Sequence, residues 1–375
     1  MPTFLQQGFE RFTTAGITNP LILNAMRAIG EQVPVAEEDA ARPAFHFRPP
    51  AQWMNDPNGT LYHEGWYHVF YQHNPYGDVW GNMHWGHARS RDLVRWEHLP
   101  VALAPSVEKY EGHVFSGCAA HDGKGRPVIL YSSVGEYPGA QWAAHPVDTE
   151  CLHWEKYAGN PVITPKANDQ LTFNHHMQDP FVFVNEGRTF MVLCGGLGEE
   201  RLITLHEASD DTLLHWEFRG IVYRVTDKTG GYEGYPECPN LFPLDGKFVL
   251  LHLGPVMYRV GDFNVDHYSF TPELSARLDL GNAFHATNVM EDEKGKILIS
   301  WLQVRGLGWS GVLALPRRMK LDAHNRLLQS PVTELQELRT TAHQAPGGTL
   351  AAGESIVIET GSAMLEMKAE FERGT

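Results

Sequence analysis

From residue 43 onward the chain alternates short apolar runs with polar punctuation, and the runs have the length of strands. Tyr67-His68-Val69-Phe70-Tyr71, Val128-Ile129-Leu130-Tyr131, Phe181-Val182-Phe183-Val184, Phe190-Met191-Val192-Leu193 and Phe248-Val249-Leu250-Leu251-His252 are rich in β-branched and aromatic residues. Gly, Pro, Asn and Asp bound them, which predicts β-strands. Asn185-Glu186-Gly187 and Leu244-Asp245-Gly246, each lying between two such runs, predict antiparallel hairpins. No long helical period appears in this region.

The two ends read differently. Asn19-Pro20 predicts a helix cap, Leu21, Met26 and Ile29 follow near helical spacing, and Gly30 is expected to end the helix. Glu37-Glu38-Asp39-Ala40-Ala41 then reads as a solvated linker. Residues 1–42 are therefore expected to form an appendage, which covers a surface, contacts a partner chain or is a poorly ordered tail. Near the other end, Ser330 as cap and Pro331 at the first position predict a helix over 330–339. Residues 355–358 and 364–371 alternate like strands, but two strands cannot build an independent sandwich. Residues 331–375 thus read as a linker helix and the start of a C-terminal β-sandwich, truncated or vestigial.

An internal repeat decides the architecture of the middle. Ser90-Arg91-Asp92-Leu93-Val94-Arg95-Trp96-Glu97 returns loosely as Asp148-Thr149-Glu150-Cys151-Leu152-His153-Trp154-Glu155, and again as Asp210-Asp211-Thr212-Leu213-Leu214-His215-Trp216-Glu217. A hairpin-rich unit returning every ~60 residues with one signature reads as a propeller blade. Residues 43–330 hold about five such units. The expected fold is all-β: a five-bladed β-propeller with a short N-terminal helical extension. Each repeated Trp is expected to pack the outer hairpin of its blade.

Composition narrows the partners. Thirty basic against forty-five acidic residues give a net charge of −15, which disfavours nucleic acid and anionic membrane surfaces. No apolar run approaches bilayer length, and no basic segment followed by an apolar one opens the chain; Glu10 and Arg11 interrupt it. These features read as a cytoplasmic protein. Cys118, Cys151, Cys194 and Cys238 are widely spaced, so neither a zinc site nor a disulfide scaffold is expected. His84 and His87 lie three apart in a predicted strand and face opposite sides, and His175-His176 are adjacent, so no metal site is expected. Cys238 reads as a small buried apolar residue.

Candidate chemistry gathers at three acids. Asp56 lies in Trp53-Met54-Asn55-Asp56-Pro57-Asn58-Gly59, where Pro57 and Asn58-Gly59 predict a rigid turn at the end of a strand. Asp179 lies in Met177-Gln178-Asp179-Pro180, and Glu237 in Tyr235-Pro236-Glu237-Cys238-Pro239-Asn240. The acids fall in the first, third and fourth blades, and a propeller brings such residues to one channel mouth. Aromatic faces and amides nearby, including Phe70-Tyr71-Gln72-His73-Asn74, suit a sugar site. Carboxylates held in different environments are what glycoside hydrolysis requires.

The first acid motif, together with Trp80-Gly81-Asn82-Met83-His84-Trp85-Gly86-His87, Phe115-Ser116-Gly117, Asp179-Pro180, Glu237-Cys238-Pro239 and Trp309-Ser310-Gly311, strongly resembles glycoside hydrolase family 32. That family holds the invertases, inulinases and levanases. The resemblance covers residues 43 to about 340 and implies a five-bladed propeller followed by a β-sandwich. It also implies a retaining mechanism without a cofactor, acting on a small or oligomeric fructoside. Asp56 would be the nucleophile, Glu237 the acid/base, and Asp179 the residue that holds two fructose hydroxyls. Asn55, Gln72, Trp80, Phe115 and Ser116 would line the fructose subsite. Two departures stand out. Gln178 occupies the place of the family's arginine, and His285, in Asn282-Ala283-Phe284-His285-Ala286, that of a tyrosine supporting the acid/base. The expected activity is release of β-D-fructose from sucrose or fructans. Transfer of fructose to an acceptor sugar, or fructoside binding without turnover, are the rival readings.

Overall fold

The computed structural model describes residues 17, 19–135, 139–166, 172–173, 175–225, 236–253, 256–344, 347–361, 364–370 and 372. Residues 1–16, with Glu10 and Arg11, and Tyr235 lie outside them, as do the side chains of His175 and His176. The chain divides into two compact units, 1–332 and 333–375.

The first unit is a five-bladed β-propeller. Blade I contains strands Gln52–His63, Trp66–Asn74, His84–Ser90 and Trp96–Leu103, and blade II Glu111–His121, Pro127–Gly135, Ala140–Pro146 and Trp154–Lys156. Blade III contains His175–Asn185, Arg188–Leu197, Glu200–Ala208 and Trp216–Arg224, and blade IV Asn240–Leu244, Lys247–His252, Met257–Asn264 and Ser269–Arg277. Blade V is made of Phe284–Asp292, Gly295–Gly306, Arg317–Leu321 and Leu327–Pro331. Within each blade the strands pair antiparallel in chain order. The first strands of the five blades touch one another in a closed ring, I to II to III to IV to V and back to I, so they line the centre. The expected hairpins form: Asn185 pairs Arg188 across Glu186-Gly187, and Leu244 pairs Lys247 across Asp245-Gly246. Both central residues of each turn have φ > 0, which matches the right-handed twist of the flanking strands.

The repeated motif sits where its packing is needed. Trp96, Trp154 and Trp216 open the fourth strands of blades I, II and III. The residue three before each, Leu93, Cys151 and Leu213, has φ of 61°, 56° and 63° and is buried. A left-handed backbone at non-glycine residues is strained, and burial of the side chain holds it there. Trp154 and Trp216 donate their indole N–H to the carbonyls of Cys151 and Leu213, at 3.0 and 2.9 Å. Side chains of Asp148 and Asp210 bind the turn between, Asp148 accepting from the Leu152 and His153 amides.

A short strand, Trp309–Leu313, closes the ring. It pairs antiparallel with Gly295–Gly306 of blade V and parallel with the first strand of blade I, through Gln52 with Trp309 and Trp53 with Ser310. Gly311 makes this approach possible: its φ is +85°, and a Cβ there would lie 2.1 Å from the Met54 carbonyl oxygen.

The N-terminal helix α1 spans Pro20–Glu37, with Asn19 Oδ1 accepting from the Leu21 amide at 2.9 Å. It continues past Gly30, where the sequence predicted its end. Ile22, Met26, Ile29, Val33 and Ala36 keep one face buried against Val101, Trp309 and Val312, and this outweighs the ~1 kcal/mol a helical glycine costs. The segment after it is not merely a solvated linker. Asp39 Oδ2 accepts from the Leu307 amide and the Trp309 indole, both at 2.8 Å, and so ties α1 to the closing hairpin.

Three further expectations change. Asp56-Pro57-Asn58-Gly59 forms no terminal turn; it lies inside the continuous first strand of blade I. A proline is tolerated there because one edge of this innermost strand faces the channel rather than a ladder partner. Ser330 and Pro331 do not start a helix, because they complete the last strand opposite Arg318 and Arg317. A 3₁₀ helix, Thr333–Leu338, begins the second unit instead. Residues 355–358 and 364–370 carry no strand pairing among the described residues. Ile356, Val357, Ile358, Met364, Leu365 and Met367 are exposed, and alternation cannot hold a strand that has no sheet to join. No helix of the described residues is long and apolar enough to cross a membrane.

Two glycine substitutions test this packing by chemical denaturation. Gly311→Ala should destabilise by at least ~1–3 kcal/mol. Gly30→Ala, with open space around the new methyl, should stabilise by about 0.5–1 kcal/mol. Equal effects would contradict the closure at Gly311.

Candidate active site

The innermost strands are bulged at one mouth of the channel, and the bulges carry the polar residues. In blade I, Met54 pairs His73 and Pro57 pairs Tyr71, so Asn55 and Asp56 together oppose Gln72. In blade II, Val114 pairs Ser133 and Gly117 pairs Tyr131, so Phe115 and Ser116 oppose Ser132. In blade III, Gln178 pairs Cys194 and Phe181 pairs Val192, so Asp179 and Pro180 oppose Leu193. Asp179 has φ 61°, and the extra residue of blade V, Ala286, has φ 44°. Each bulge bends its strand and re-aims a side chain that a regular ladder would direct elsewhere. The second bulge of blade I is set by Gly59, φ +52°, where a Cβ would meet the Phe70 ring at 2.6 Å.

One directed chain of hydrogen bonds crosses the seam between blades I and II. The Trp53 indole N–H donates to Asn55 Oδ1 at 2.7 Å, and Asn55 Nδ2–H donates to Gln72 Oε1 at 3.1 Å. Gln72 Nε2–H then donates to Ser116 Oγ at 2.5 Å, and the Ser116 hydroxyl donates to Asp56 Oδ2 at 2.6 Å. An indole can only donate and a carboxylate only accepts, so the two ends fix the polarity of every amide between them. Asn55, Gln72 and Ser116 are buried, so each bond left unmade would carry a full desolvation cost. Asp56 itself is half-buried and faces the mouth.

Asp179 is held differently. It is buried, its Oδ2 accepts from the Cys238 amide at 2.9 Å, and Gln178 Nε2 lies 3.4 Å from the same oxygen. Burial raises its pKa to about 7, against the pull of the Cys238 amide, and the nearby Asp56 charge adds to the rise. Its own amide donates to Ser132 Oγ at 2.8 Å, and Ser132 donates to Gln141, whose side-chain amide binds the Met177 carbonyl. Cys238, φ 48°, is more than an apolar filler. Its amide holds Asp179 while its thiol points at Asp56 Oδ2, 3.7 Å away. Burial and the charges of Asp179, Asp56 and Glu237 push that thiol well above its ordinary pKa, so it remains an S–H donor. Glu237, the preceding residue, is half-buried, and its carbonyl accepts from the Leu253 amide at 2.9 Å.

The apolar residues form the lip and one wall. Phe115 is half-buried and Trp80 is 52% exposed, with ring centroids 6.1 Å apart. His285 meets Trp301 edge-on at 5.5 Å, and Trp301 meets Trp53 at 5.7 Å, so the wall ends at the donor that starts the relay. His84 and His87 take separate partners, the Asn82 carbonyl at 2.5 Å and the His68 ring at 3.0 Å. Sequence reasoning missed Ser132, Gln141 and Asn288 and read Asn58 as a turn former. Asn58 Oδ1 accepts from the Gly117 amide at 3.2 Å. Asn288 Oδ1 accepts from the Thr60 hydroxyl at 2.7 Å, and its Nδ2 donates to the Gly117 carbonyl at 3.2 Å. Amides standing inside otherwise apolar strand runs were the available signal.

Asp179 makes a prediction for stability. A folded-state pKa raised to about 7 means that its contribution is fully present below the ordinary aspartate pKa and is lost as pH rises through about 7. Asp179→Asn removes that loss. The thermal midpoint of the variant should gain on the parent from about pH 4 to about pH 8 and level off above it. A constant difference across that range would contradict the buried, raised carboxyl.

Comparison with known proteins agrees with this fold. Residues 46–331 match the glycosyl hydrolases family 32 N-terminal domain. The chain is 34% identical to a levanase of Bacillus subtilis over 375 aligned residues, covering 88% of this chain and 53% of the relative. It is 31% identical to an acid beta-fructofuranosidase of Vicia faba, covering 88% of this chain and 57% of that protein. It therefore spans about half the length of these curated relatives. Among solved structures, a Bombyx mori GH32 beta-fructofuranosidase mutant in complex with sucrose superposes with a TM-score of 0.75 at 29% identity, covering 87% of this chain and 72% of that one. Fructan 1-exohydrolase IIa of Cichorium intybus in complex with 1-kestose gives a TM-score of 0.71 at 28% identity, covering 80% and 62%. With the five-bladed propeller, the bulged mouth and a match over most of its length, this chain belongs to glycoside hydrolase family 32.

Proposed function

We propose that the protein is a retaining glycoside hydrolase that releases β-D-fructose from sucrose, fructo-oligosaccharides or fructans by double displacement. The observation that carries this reading is the relay ending on Asp56 Oδ2 in a mouth shared with acids of two other blades. Because the relay and the Cys238 thiol engage Oδ2, Oδ1 is the oxygen that attacks the fructosyl anomeric carbon. Glu237 protonates the departing glycosidic oxygen and then removes a proton from the water that releases fructose. Asp179 binds fructosyl hydroxyls and, in its carboxylate form, favours the cationic transition state by its negative charge. Asn55, Gln72, Ser116, Phe115 and Trp80 shape the fructose subsite, with Gln178 supplying an amide beside Asp179 and His285 supporting the acid/base. A net charge of −15 does not oppose a neutral sugar. The relatives' names support the substrate class: levanase, beta-fructofuranosidase, and structures holding sucrose and 1-kestose.

The reading is tested by incubation with sucrose, 1-kestose, inulin and levan in parallel, with the released sugars resolved by chromatography. Fructose release is expected, with free fructose equal to free glucose from sucrose. A deficit of fructose would indicate transfer to sugar acceptors, and silence on all four from a folded protein that binds fructose would indicate a binding protein. Asp56→Asn and Glu237→Gln should each lower kcat by roughly a thousandfold while the fold is retained. Full activity in both variants would overturn the assignment.

A further inference from the structure

We propose that His113 determines specificity for the sugar attached to the fructosyl unit, donating a hydrogen bond from Nε2 beside the exposed face of Trp80. This inference rests on the fructosidase reading of the site and extends it to the leaving-group side.

The Met83 amide donates to His113 Nδ1 at 3.2 Å, so Nδ1 is the acceptor and the ring proton sits on Nε2. The Val114 amide returns a bond to the Met83 carbonyl at 3.0 Å, which fixes the ring against the loop before the third strand of blade I. Burial lowers the pKa of His113, which keeps the imidazole neutral and this tautomer in place. The ring lies 5.4 Å from the Trp80 indole and 5.7 Å from the Phe115 ring, centroid to centroid. His113 is half-buried and Trp80 is 52% exposed, whereas Ser116, Asn55 and Gln72 beneath them are buried.

These positions set a direction. A fructosyl ring seated over Asp56 is enclosed by the buried amides, so its glycosidic oxygen and the next sugar must run outward past Phe115. There they meet a flat apolar face with a fixed N–H donor at its side. Sugars are recognised by this pairing, apolar face on indole and hydroxyl oxygen on a positioned donor. A neutral donor suits a neutral sugar better than a cation would, because it loses less hydration on contact. The substrate class that follows is a fructoside whose leaving group is itself a hydroxylated sugar, rather than an alkyl or aryl group.

The test uses two substitutions that separate the roles of the two ring nitrogens. His113→Asn keeps an acceptor near Nδ1 for the Met83 amide and lacks the outer donor. His113→Gln keeps an N–H near the position of Nε2. For each, kcat/KM is measured on sucrose and on p-nitrophenyl β-D-fructofuranoside, whose leaving group lacks sugar hydroxyls. His113→Asn should lower the sucrose value about five- to tenfold and leave the aryl fructoside within about twofold, and His113→Gln should recover part of the loss. An unchanged ratio of the two substrates, or an equal fall on both, overturns the inference and leaves a packing role. A parent inactive on both substrates would defeat the fructosidase reading. Sucrose binding, measured by calorimetry, then decides His113 separately: equal affinity of parent and His113→Asn overturns its role.

Discussion

Everything at the channel mouth depends on a carboxyl group being held in one orientation. The Ser116 hydroxyl does this, donating to Asp56 Oδ2 from the neighbouring blade. Its own oxygen is supplied by Gln72, which is supplied by Asn55 and finally by the Trp53 indole. The line runs one way from an obligatory donor to an acceptor, so no member can turn round without orphaning a buried group. Placing three amide and hydroxyl side chains in such a line requires the bulges of blades I and II, because a regular ladder would send alternate residues to opposite faces. The bulges in turn require the two blades to stay in contact, and this the closed ring provides. Closure through Trp309–Leu313, backed by α1 and Asp39, is thereby connected to the chemistry: Ser310 pairs directly with Trp53, where the relay begins.

The acids are distinguished by their surroundings rather than by their identity. Asp56 is half-buried and receives two donors, Ser116 and Cys238, on one oxygen. Asp179 is buried, with a backbone amide and the distant Gln178 amide on its Oδ2, and it stands near another carboxylate. Cys238 sits between them and serves both, through its amide and its thiol. Burial raises the pKa of Asp179 to about 7 and the nearby Asp56 charge adds to the rise, so neighbouring carboxyls of one site stand in different environments. Gln178 brings a neutral amide beside Asp179, which pulls the pKa of that carboxyl down, while burial and the Asp56 charge raise it to about 7.

The pattern of short strands and the Trp-Glu repeat made the propeller legible, because the repeat encodes a local turn: a left-handed residue three before each Trp, fixed by burial. The acids were legible because they sit in local motifs. What the sequence concealed is held by contacts between distant blades. Ser132 and Gln141 position Asp179 from outside its motif, and Asn58 and Asn288 bind Gly117 across two seams. Pro57 suggested a turn because its missing N–H usually ends a strand, and only the channel-facing edge of the inner strand makes it harmless. Gly30 suggested a short helix, and the buried stripe opposite Trp309 overrides it and carries the helix on past Pro34. Residues 355–358 and 364–370 show the converse, alternation without a sheet to receive it.

Trapping the reaction on the enzyme tests most directly the claim that Asp56 forms a covalent bond to fructose. Glu237→Gln, which slows release, would be mixed with an activated aryl fructoside, quenched in acid and digested for peptide mass spectrometry. A gain of one fructosyl residue on the peptide that carries Asp56, localised to that side chain by fragmentation, is the predicted result. A burst of aryl release with the label on another residue, or with no label at all, would contradict it.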